Sequence, residues 1–245
     1  MFLSKLSSRL ILFTILFSVG SFSQNGVILL KEMDAIIGAG KDRTATIEIV
    51  TTDKSGKEKI REASMKQLGR YKKLFRYTKP EKQAGIATLT LPDDIIWMYM
   101  PAFGKPIKIT LLSKSQAFTG TDFSHVDMSG TPFSERYNPQ MLETEDTNNY
   151  IISLRPKTDK SKYTKIIVIL DKSNKFPLEM KYFNKNGDHF KTASYSYKKS
   201  GNYWYAEKVL MTDHKKQHST AITLKDLKFD TGLKDEEFLV EKLKQ

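Results

Sequence analysis

The chain has 245 residues, contains no cysteine, and carries 40 Lys and Arg against 28 Asp and Glu, which gives a formal net charge of +12. The lack of cysteine excludes a disulfide-stapled scaffold and a lipoprotein anchored through an N-terminal cysteine. The basic side chains are spread along the whole chain. This distribution is typical of charged strand edges, which resist aggregation, or of attraction to anionic membrane surfaces.

The N-terminal residues have the pattern of a secretory signal peptide. A basic start precedes an apolar stretch at residues 10–19, and Ser21 and Ser23 place small residues at the −3 and −1 positions of a cleavage site. The apolar stretch is shorter than the roughly 20 residues of a membrane-spanning helix. We therefore expect residues 1–23 to be removed, the protein to be exported to the periplasm, and 24–245 to form a single domain. Export argues against nucleic acid as a partner.

The remaining patterns predict one helix followed by a long series of strands. Apolar residues recur at helical spacing from Val27 to Ile37, and glycines follow. Strand-like stretches then run in the order Thr44–Val50, Lys59–Leu68, Tyr71–Tyr77, Gly85–Leu91, Ile95–Met100, Ile107–Leu112, Tyr150–Leu154, Lys165–Leu170, Leu178–Phe183, Phe190–Tyr197, Tyr203–Met211 and Ala221–Phe229. We expect a mainly β fold of about ten or eleven antiparallel strands, because turn signals such as Asn186-Gly187 connect consecutive stretches.

Two segments are predicted to be less regular. Thr131–Asp146 contains two prolines and few periodic apolar residues, so we expect a long connection with a helical turn at Pro139–Glu145. Thr231–Leu243 is expected to close the chain with a short helical turn and a final strand.

Two motifs at a defined spacing carry a family resemblance. Ile96–Ala102, IWMYMPA, resembles the strand WLYLPA, and Ser115–Ser124, SQAFTGTDFS, resembles the segment SxSFMGSDFT. Both belong to the outer-membrane lipoprotein-sorting, or LolA-like, proteins. Weaker matches extend the resemblance over most of the chain. Two departures are the family's basic run, here Phe103–Lys108, and His125, where the family usually has tyrosine.

The resemblance implies a fold, a set of partners and a motif loop. Family members such as LolA and LolB form an incomplete β-barrel with a helical lid over an apolar cavity, and the best-known members carry acylated lipoproteins between membranes. Gly120, Thr121 and Asp122 match the motif loop, which has no chemistry attached to it. The matching partners are lipid or lipoprotein acyl chains, an inner-membrane transporter and an outer-membrane acceptor, with transient contact at the membrane surface. We expect a monomer.

Aromatic side chains are the candidate ligand-binding residues. Those on strands or in the motif loop are Trp97, Tyr99, Phe118, Phe123, Tyr195 and Trp204. Trp97 and Tyr99 lie two apart on a strand and so share a face. We hypothesise that this face lines the hollow and that Phe118 and Phe123 help to close it. The alternative is that these aromatics fill an ordinary barrel core.

No arrangement of residues indicates catalysis, a metal or a cofactor. His214 and His218 have a spacing that would suit a metal only on a helix, whereas their neighbours predict a hairpin loop. Asp122, His125 and Asp127 lie close together in the motif loop, but neither a nucleophile elbow nor an oxyanion donor accompanies them. We therefore expect a protein that is not an enzyme.

Three functions remain in order of preference. The first is a periplasmic carrier that binds lipid or lipoprotein acyl chains and moves them toward the outer membrane. The second is a binding module of the same fold that senses lipids or partners beside a membrane transporter. The third is a hydrolase, which substitution of His125 would test.

Overall fold

The computed structural model describes residues 18–110, 113, 115–159 and 161–245. Most of the predicted signal peptide therefore lies outside the described residues. The first helix, α1, runs from Ser18 to Ile37 and includes the whole predicted helix. Within the described part of the chain, no helix combines the length and the hydropathy needed to cross a membrane.

The predicted architecture, a mainly β protein with an antiparallel sheet that does not close, is confirmed. The strands are β1 Asp42–Thr52, β2 Glu58–Leu68, β3 Lys72–Lys79, β4 Ala87–Leu91, β5 Ile95–Tyr99, β6 Ile107–Lys108, β7 Tyr137–Leu142, β8 Asn149–Pro156, β9 Lys165–Asp171, β10 Pro177–Phe183, β11 His189–Ser200, β12 Tyr203–Asp213 and β13 His218–Phe229. The described residues thus form thirteen strands rather than ten or eleven. Their order is β6-β5-β4-β3-β2-β1-β13-β12-β11-β10-β9-β8-β7, so β6 and β7 are the two edges of an incomplete barrel.

Two predicted segments differ from the structure. Tyr137–Leu142, expected in a connection with a helical turn, is strand β7. Pro139 is tolerated there because β7 is an edge strand that pairs with β8 alone, and an edge strand does not need every N–H for the ladder. The expected final strand is instead a pair of 3-10 helices, Asp235–Phe238 and Val240–Lys244.

One further strand is shorter than expected, and the hairpin at Asn186-Gly187 folds as predicted. β6 covers only Ile107–Lys108, and residues 111, 112 and 114 lie outside the described part of the chain. Gly187 and Gly201 adopt φ of 85° and 57° in the β10–β11 and β11–β12 turns, a conformation that favours glycine.

Different parts of the chain cover the inner face of the sheet and a portion of its outer face. The inner face carries the main core, including Ile49, Phe75 and Val168, and Leu30 and Met33 of α1 pack against it. The outer face is covered near β4 and β5 by the C-terminal 3-10 helices, which place Phe238 and Leu243 against Leu89 and its neighbours. Because α1 contacts mainly β7, the rest of the inner face must be covered by other segments.

The short helices α2, His125–Ser129, and α3, Phe133–Arg136, supply part of this cover. They lie in the connection between β6 and β7, the two edges of the open barrel. This connection contains the motif loop that the sequence singles out.

Candidate functional site

Residues 115–130, here called the lid loop, fold back on themselves above the inner face of the sheet. The Phe118 N–H donates to the Phe123 carbonyl at 2.8 Å, next to a β-bridge between Ala117 and Ser124. Gly120, with φ of 76°, allows the tight reversal between them. The Thr121 hydroxyl donates to the Phe118 carbonyl at 2.7 Å. The GTD part of the motif is thus the turn that sets Phe118 and Phe123 side by side.

Both phenylalanines of the lid loop are part of the inner core. Phe118 is 2% exposed, and its ring packs edge-to-face on Phe75 of β3 at a centroid distance of 5.2 Å. Phe123 is buried in the same cluster as Tyr195 of β11. The side chains of Phe118 and Phe123 therefore occupy the space that the open barrel encloses.

Asp122 ties the loop to the opposite half of the sheet. Its buried carboxylate accepts hydrogen bonds from His218 Nδ1 and the Thr220 hydroxyl, both at 2.6 Å, on β13. The Asp122 N–H in turn donates to the Thr220 Oγ1 at 3.0 Å, and Lys191 Nζ of β11 donates to the Asp122 carbonyl. We refer to Asp122, Lys191, His218 and Thr220 as the Asp122 latch.

Two further cationic side chains from the sheet donate to carbonyls of the loop. Arg61 of β2 donates to the Thr119 carbonyl at 2.6 Å, and Lys73 of β3 donates to the Met128 carbonyl at 2.9 Å. The Met128 carbonyl carries no charge that would stabilise the ammonium form of Lys73. Burial, together with the nearby Arg43 guanidinium, lowers the pKa of Lys73 to about 7. Directional polar contacts, which water can replace, therefore join the loop to the sheet.

The residues considered for catalysis have structural partners instead. The Ser124 hydroxyl donates to Asp127 at 2.7 Å and caps α2, and the Tyr163 hydroxyl also donates to Asp127 at 2.8 Å. His125 packs its ring on Phe118, and burial lowers the pKa of His125, which favours the neutral ring. Ser124 is hydrogen-bonded to a carboxylate rather than to the histidine, so the pair does not have the geometry of an activated nucleophile.

His214 and His218 bind different partners. The His214 ring is hydrogen-bonded to the Thr192 hydroxyl at 2.8 Å, in the turn region that the sequence predicts between β12 and β13. His218 is part of the Asp122 latch. In the described part of the chain, no group of three or more His, Asp or Glu side chains is arranged to hold a metal.

The structure separates the predicted aromatic residues into three places. Phe118, Phe123 and Tyr195 lie in the inner core. Trp97 and Tyr99 pack in the outer cluster. Trp204 is 42% exposed and packs beside Phe176.

The assignment of the Trp97 face to the hollow is therefore corrected. Trp97 lies opposite Leu89 in the β4–β5 ladder, and Leu89 faces the C-terminal 3-10 helices. The other face of β5 carries Ile96 and Met98, which form a small buried cluster with Ile109. Both faces of this strand are apolar, so alternation alone could not distinguish inner from outer.

Two of the spaces among the described residues lie near the expected hollow. One, of about 200 Å³, lies against the lid loop between Val126, Tyr137 and Tyr163. The other, a groove of about 610 Å³, runs between α1 and the β7–β8 edge and is lined by Leu29 and Met141 among others. The expected hollow is thus largely filled by the lid loop in this conformation.

The polar side chains on the sheet that hold the lid loop were not among the predicted site residues. Arg61, Lys191 and Thr220 occupy inward positions on strands whose other inward residues are apolar, such as Ala63 after Arg61. A charged residue inside such an alternating pattern is the signal that could have identified Arg61 and Lys191.

Comparisons with known proteins agree with this geometry. A family model described as "Uncharacterized protein" matches residues 69–245. The structure is similar to an outer membrane lipoprotein-sorting protein domain from Vibrio parahaemolyticus, with a TM-score of 0.84 and 28% identity over 91% of this chain and 100% of that chain. No curated protein matches the sequence significantly.

Two other solved structures share the fold at lower identity. A DUF1329 family protein from Desulfovibrio piger has a TM-score of 0.82 and 21% identity, covering 91% of this chain and 99% of that one. A LolA superfamily protein from Nitrosomonas europaea has a TM-score of 0.75 and 22% identity, covering 89% and 97%. The resemblance to outer-membrane lipoprotein-sorting, LolA-like proteins is thereby confirmed. The chain belongs to the family whose model, described as "Uncharacterized protein", matches residues 69–245, and it has the fold of the LolA superfamily.

Proposed function

We propose that the protein is a periplasmic carrier that binds lipid or lipoprotein acyl chains beneath the lid loop and moves them toward the outer membrane. The observation that carries the proposal is the way the inner face is covered. Phe118 and Phe123 fill the hollow, but the loop that bears them is joined to the sheet by polar contacts from Arg61, Lys73 and the Asp122 latch. Such a loop can leave the sheet without breaking a strand ladder.

Rough magnitudes favour exchange of the two rings for a long acyl chain. Exposing two buried phenylalanines costs about 3–6 kcal/mol, and each buried methylene stabilises by about 0.8 kcal/mol. About four to eight methylenes would therefore offset the rings alone, and a longer chain would also offset the lost hydrogen bonds. Affinity should consequently rise steeply with chain length.

The proposal includes the location and the processing of the chain. The N-terminal pattern supports export, removal of residues 1–23 and a mature domain at 24–245. The same fold in a lipoprotein-sorting protein domain supports a role in lipoprotein sorting. Acyl groups as cargo, and a membrane transporter and an acceptor as partners, are what the family resemblance implies. The carrier performs no chemistry on its cargo.

Mass spectrometry of lipids extracted from the gently purified native protein tests the proposal. We expect acylated molecules in stoichiometric amount. A parallel titration with fatty acids of increasing length should show binding that begins at intermediate length. A protein that retains no lipid and binds no acyl chain of any length would refute the carrier function and favour the non-transporting binding module.

A further inference from the structure

A separate pocket of about 530 Å³ lies at the end of the sheet where two hairpins turn. The β10–β11 turn contributes Lys185 and the β12–β13 turn contributes Lys215, while Ser115 and Ala117 of the lid loop form another wall. Phe190 adds an apolar surface. The pocket is therefore bounded on one side by the segment that covers the inner face.

The lining of this pocket is strongly cationic. Lys162, Lys185, Lys191, Lys215 and Lys216 line it, and Asp213 is the one carboxylate among the lining residues. Asp213 is itself buried and already engaged, since it accepts from the Lys216 N–H at 3.0 Å and lies 3.7 Å from Lys191 Nζ. The pocket thus keeps an excess of positive charge.

The lysines are close enough to affect one another. Burial lowers the pKa of Lys162 to about 8, and the positive charges of Lys191 and Lys216 contribute to this shift. The negative charge of Asp127 acts in the opposite direction. Lysines at hairpin tips are often merely solvated, as Lys185 and Lys215 would be. Lys191, however, is only 4% exposed, so part of this charge is inside the protein. An anion in the pocket would reduce the repulsion between the lysines and offset the cost of their desolvation.

The pocket is connected to the lid loop through the same side chains. Lys191 donates to the Asp122 carbonyl, and Lys162 donates to the Ser115 carbonyl at 3.4 Å. Lys162 also lines the 200 Å³ cavity that lies against the lid loop, so the two spaces share this side chain. A ligand could therefore place a charged group here and an apolar group beneath the loop.

We propose that this pocket binds the phosphate group of an anionic lipid headgroup whose acyl chain lies beneath the lid loop. The inference rests on the proposed acyl-binding function and specifies the class of lipid. Lysine ammonium groups bind phosphate as point charges, and several of them around one pocket suit a phosphate ester. The same lysines would disfavour a headgroup that also carries a quaternary ammonium.

Calorimetric titration with three ligands of the same acyl chain separates the headgroup from the tail. The ligands are myristoyl lysophosphatidylglycerol, myristoyl lysophosphatidylcholine and monomyristoylglycerol, each below its critical micelle concentration, with inorganic pyrophosphate as the free-phosphate arm. The test variant is Lys185→Glu with Lys215→Glu, at two exposed hairpin tips. The control is Lys199→Glu with Lys228→Glu, which changes net charge equally at two exposed positions outside the pocket.

We expect the anionic lysolipid to bind at least about tenfold more tightly than the other two, an advantage that the test variant loses and the control keeps. Equal affinities for the three ligands would overturn the headgroup assignment and leave acyl binding intact. An equal loss of affinity for the anionic lysolipid in the test and control variants would show that net charge alone causes the effect, and it would overturn the assignment of the phosphate to this pocket. If pyrophosphate bound as tightly as the anionic lysolipid and monomyristoylglycerol did not bind, the pocket would bind free phosphate and not a lipid headgroup. This result would overturn both the proposed headgroup site and the carrier function.

Discussion

Replacing Asp122 with asparagine should weaken the lid loop without reshaping it. The carboxylate is 2% exposed and accepts from His218 Nδ1 and Thr220 Oγ1 at 2.6 Å each. Hydrogen bonds to a charged group contribute about 1.5–3 kcal/mol each, and asparagine retains the size of the side chain and part of the accepting capacity. We expect the closed form to lose about 1.5–3 kcal/mol relative to an open form in which Asp122 is hydrated.

Asp122→Asn should raise the affinity for acyl ligands and lower the stability of the protein. An acyl ligand that requires the open form gains apparent affinity as that form becomes more populated, by about tenfold for each 1.4 kcal/mol. The apparent dissociation constant of a fluorescent fatty acid should therefore fall by roughly ten- to a hundredfold in Asp122→Asn. The free energy of unfolding, from urea denaturation, should fall as well, because the native state loses the latch.

Asp42→Asn is the matched control. Asp42 is also a buried carboxylate, and it accepts from the N–H and hydroxyl of Thr231 at 2.7 Å and from the Gly232 N–H at 3.0 Å, partners that lie outside the lid loop. We expect Asp42→Asn to lose stability and keep the original acyl affinity. An unchanged or weakened affinity in folded Asp122→Asn, or an equal gain in Asp42→Asn, would refute the role of the latch.

Three other predictions concern the faces of the sheet and the titrating groups. Trp97→Glu should lower the thermal midpoint but leave acyl affinity unchanged, since Trp97 packs on the outer face; loss of binding in the folded variant would restore the opposite face assignment. The lowered pKa of buried His125 means that the unfolded chain gains a proton first as pH falls below 6.5, so stability should decline there in urea titrations and decline less in His125→Gln. The pKa of Lys73 is about 7 in the fold against 10.5 as a reference, so unfolded chains bind more protons between these values and stability should rise with pH across that window; an equal rise in Lys73→Met would contradict this.

The regular strands were predictable because their side chains alternate. In β1, buried and partly exposed positions follow one another almost without exception, and the sequence shows the same period. β9 alternates in burial in the same way, although its residues from Ile166 to Leu170 are all apolar. The β10–β11 hairpin was predictable from Asn186-Gly187, whose glycine adopts positive φ. Local physics was sufficient in these places.

Positions that depend on distant partners were not predictable in the same way. β7 carries Pro139 and resembles a connection until its place at the sheet edge is known. Trp97 could not be assigned to a face, because the 3-10 helix containing Phe238 covers it from far along the chain. The position of the motif loop was predictable from its residues. The latch side chains Lys191 and Thr220 are recognisable only in the folded structure, where β11 and β13 contact this loop.

A reversible crosslink tests most directly whether acyl chains enter beneath the lid loop. The chain contains no cysteine, and Asp122 and Thr220 are in contact across the latch, so Asp122→Cys with Thr220→Cys should form a single disulfide between loop and sheet. We expect the oxidised protein to bind no fluorescent fatty acid and the reduced protein to bind it, with each single-cysteine variant unaffected by oxidation. Equal binding by the oxidised and reduced forms would contradict entry beneath the lid loop.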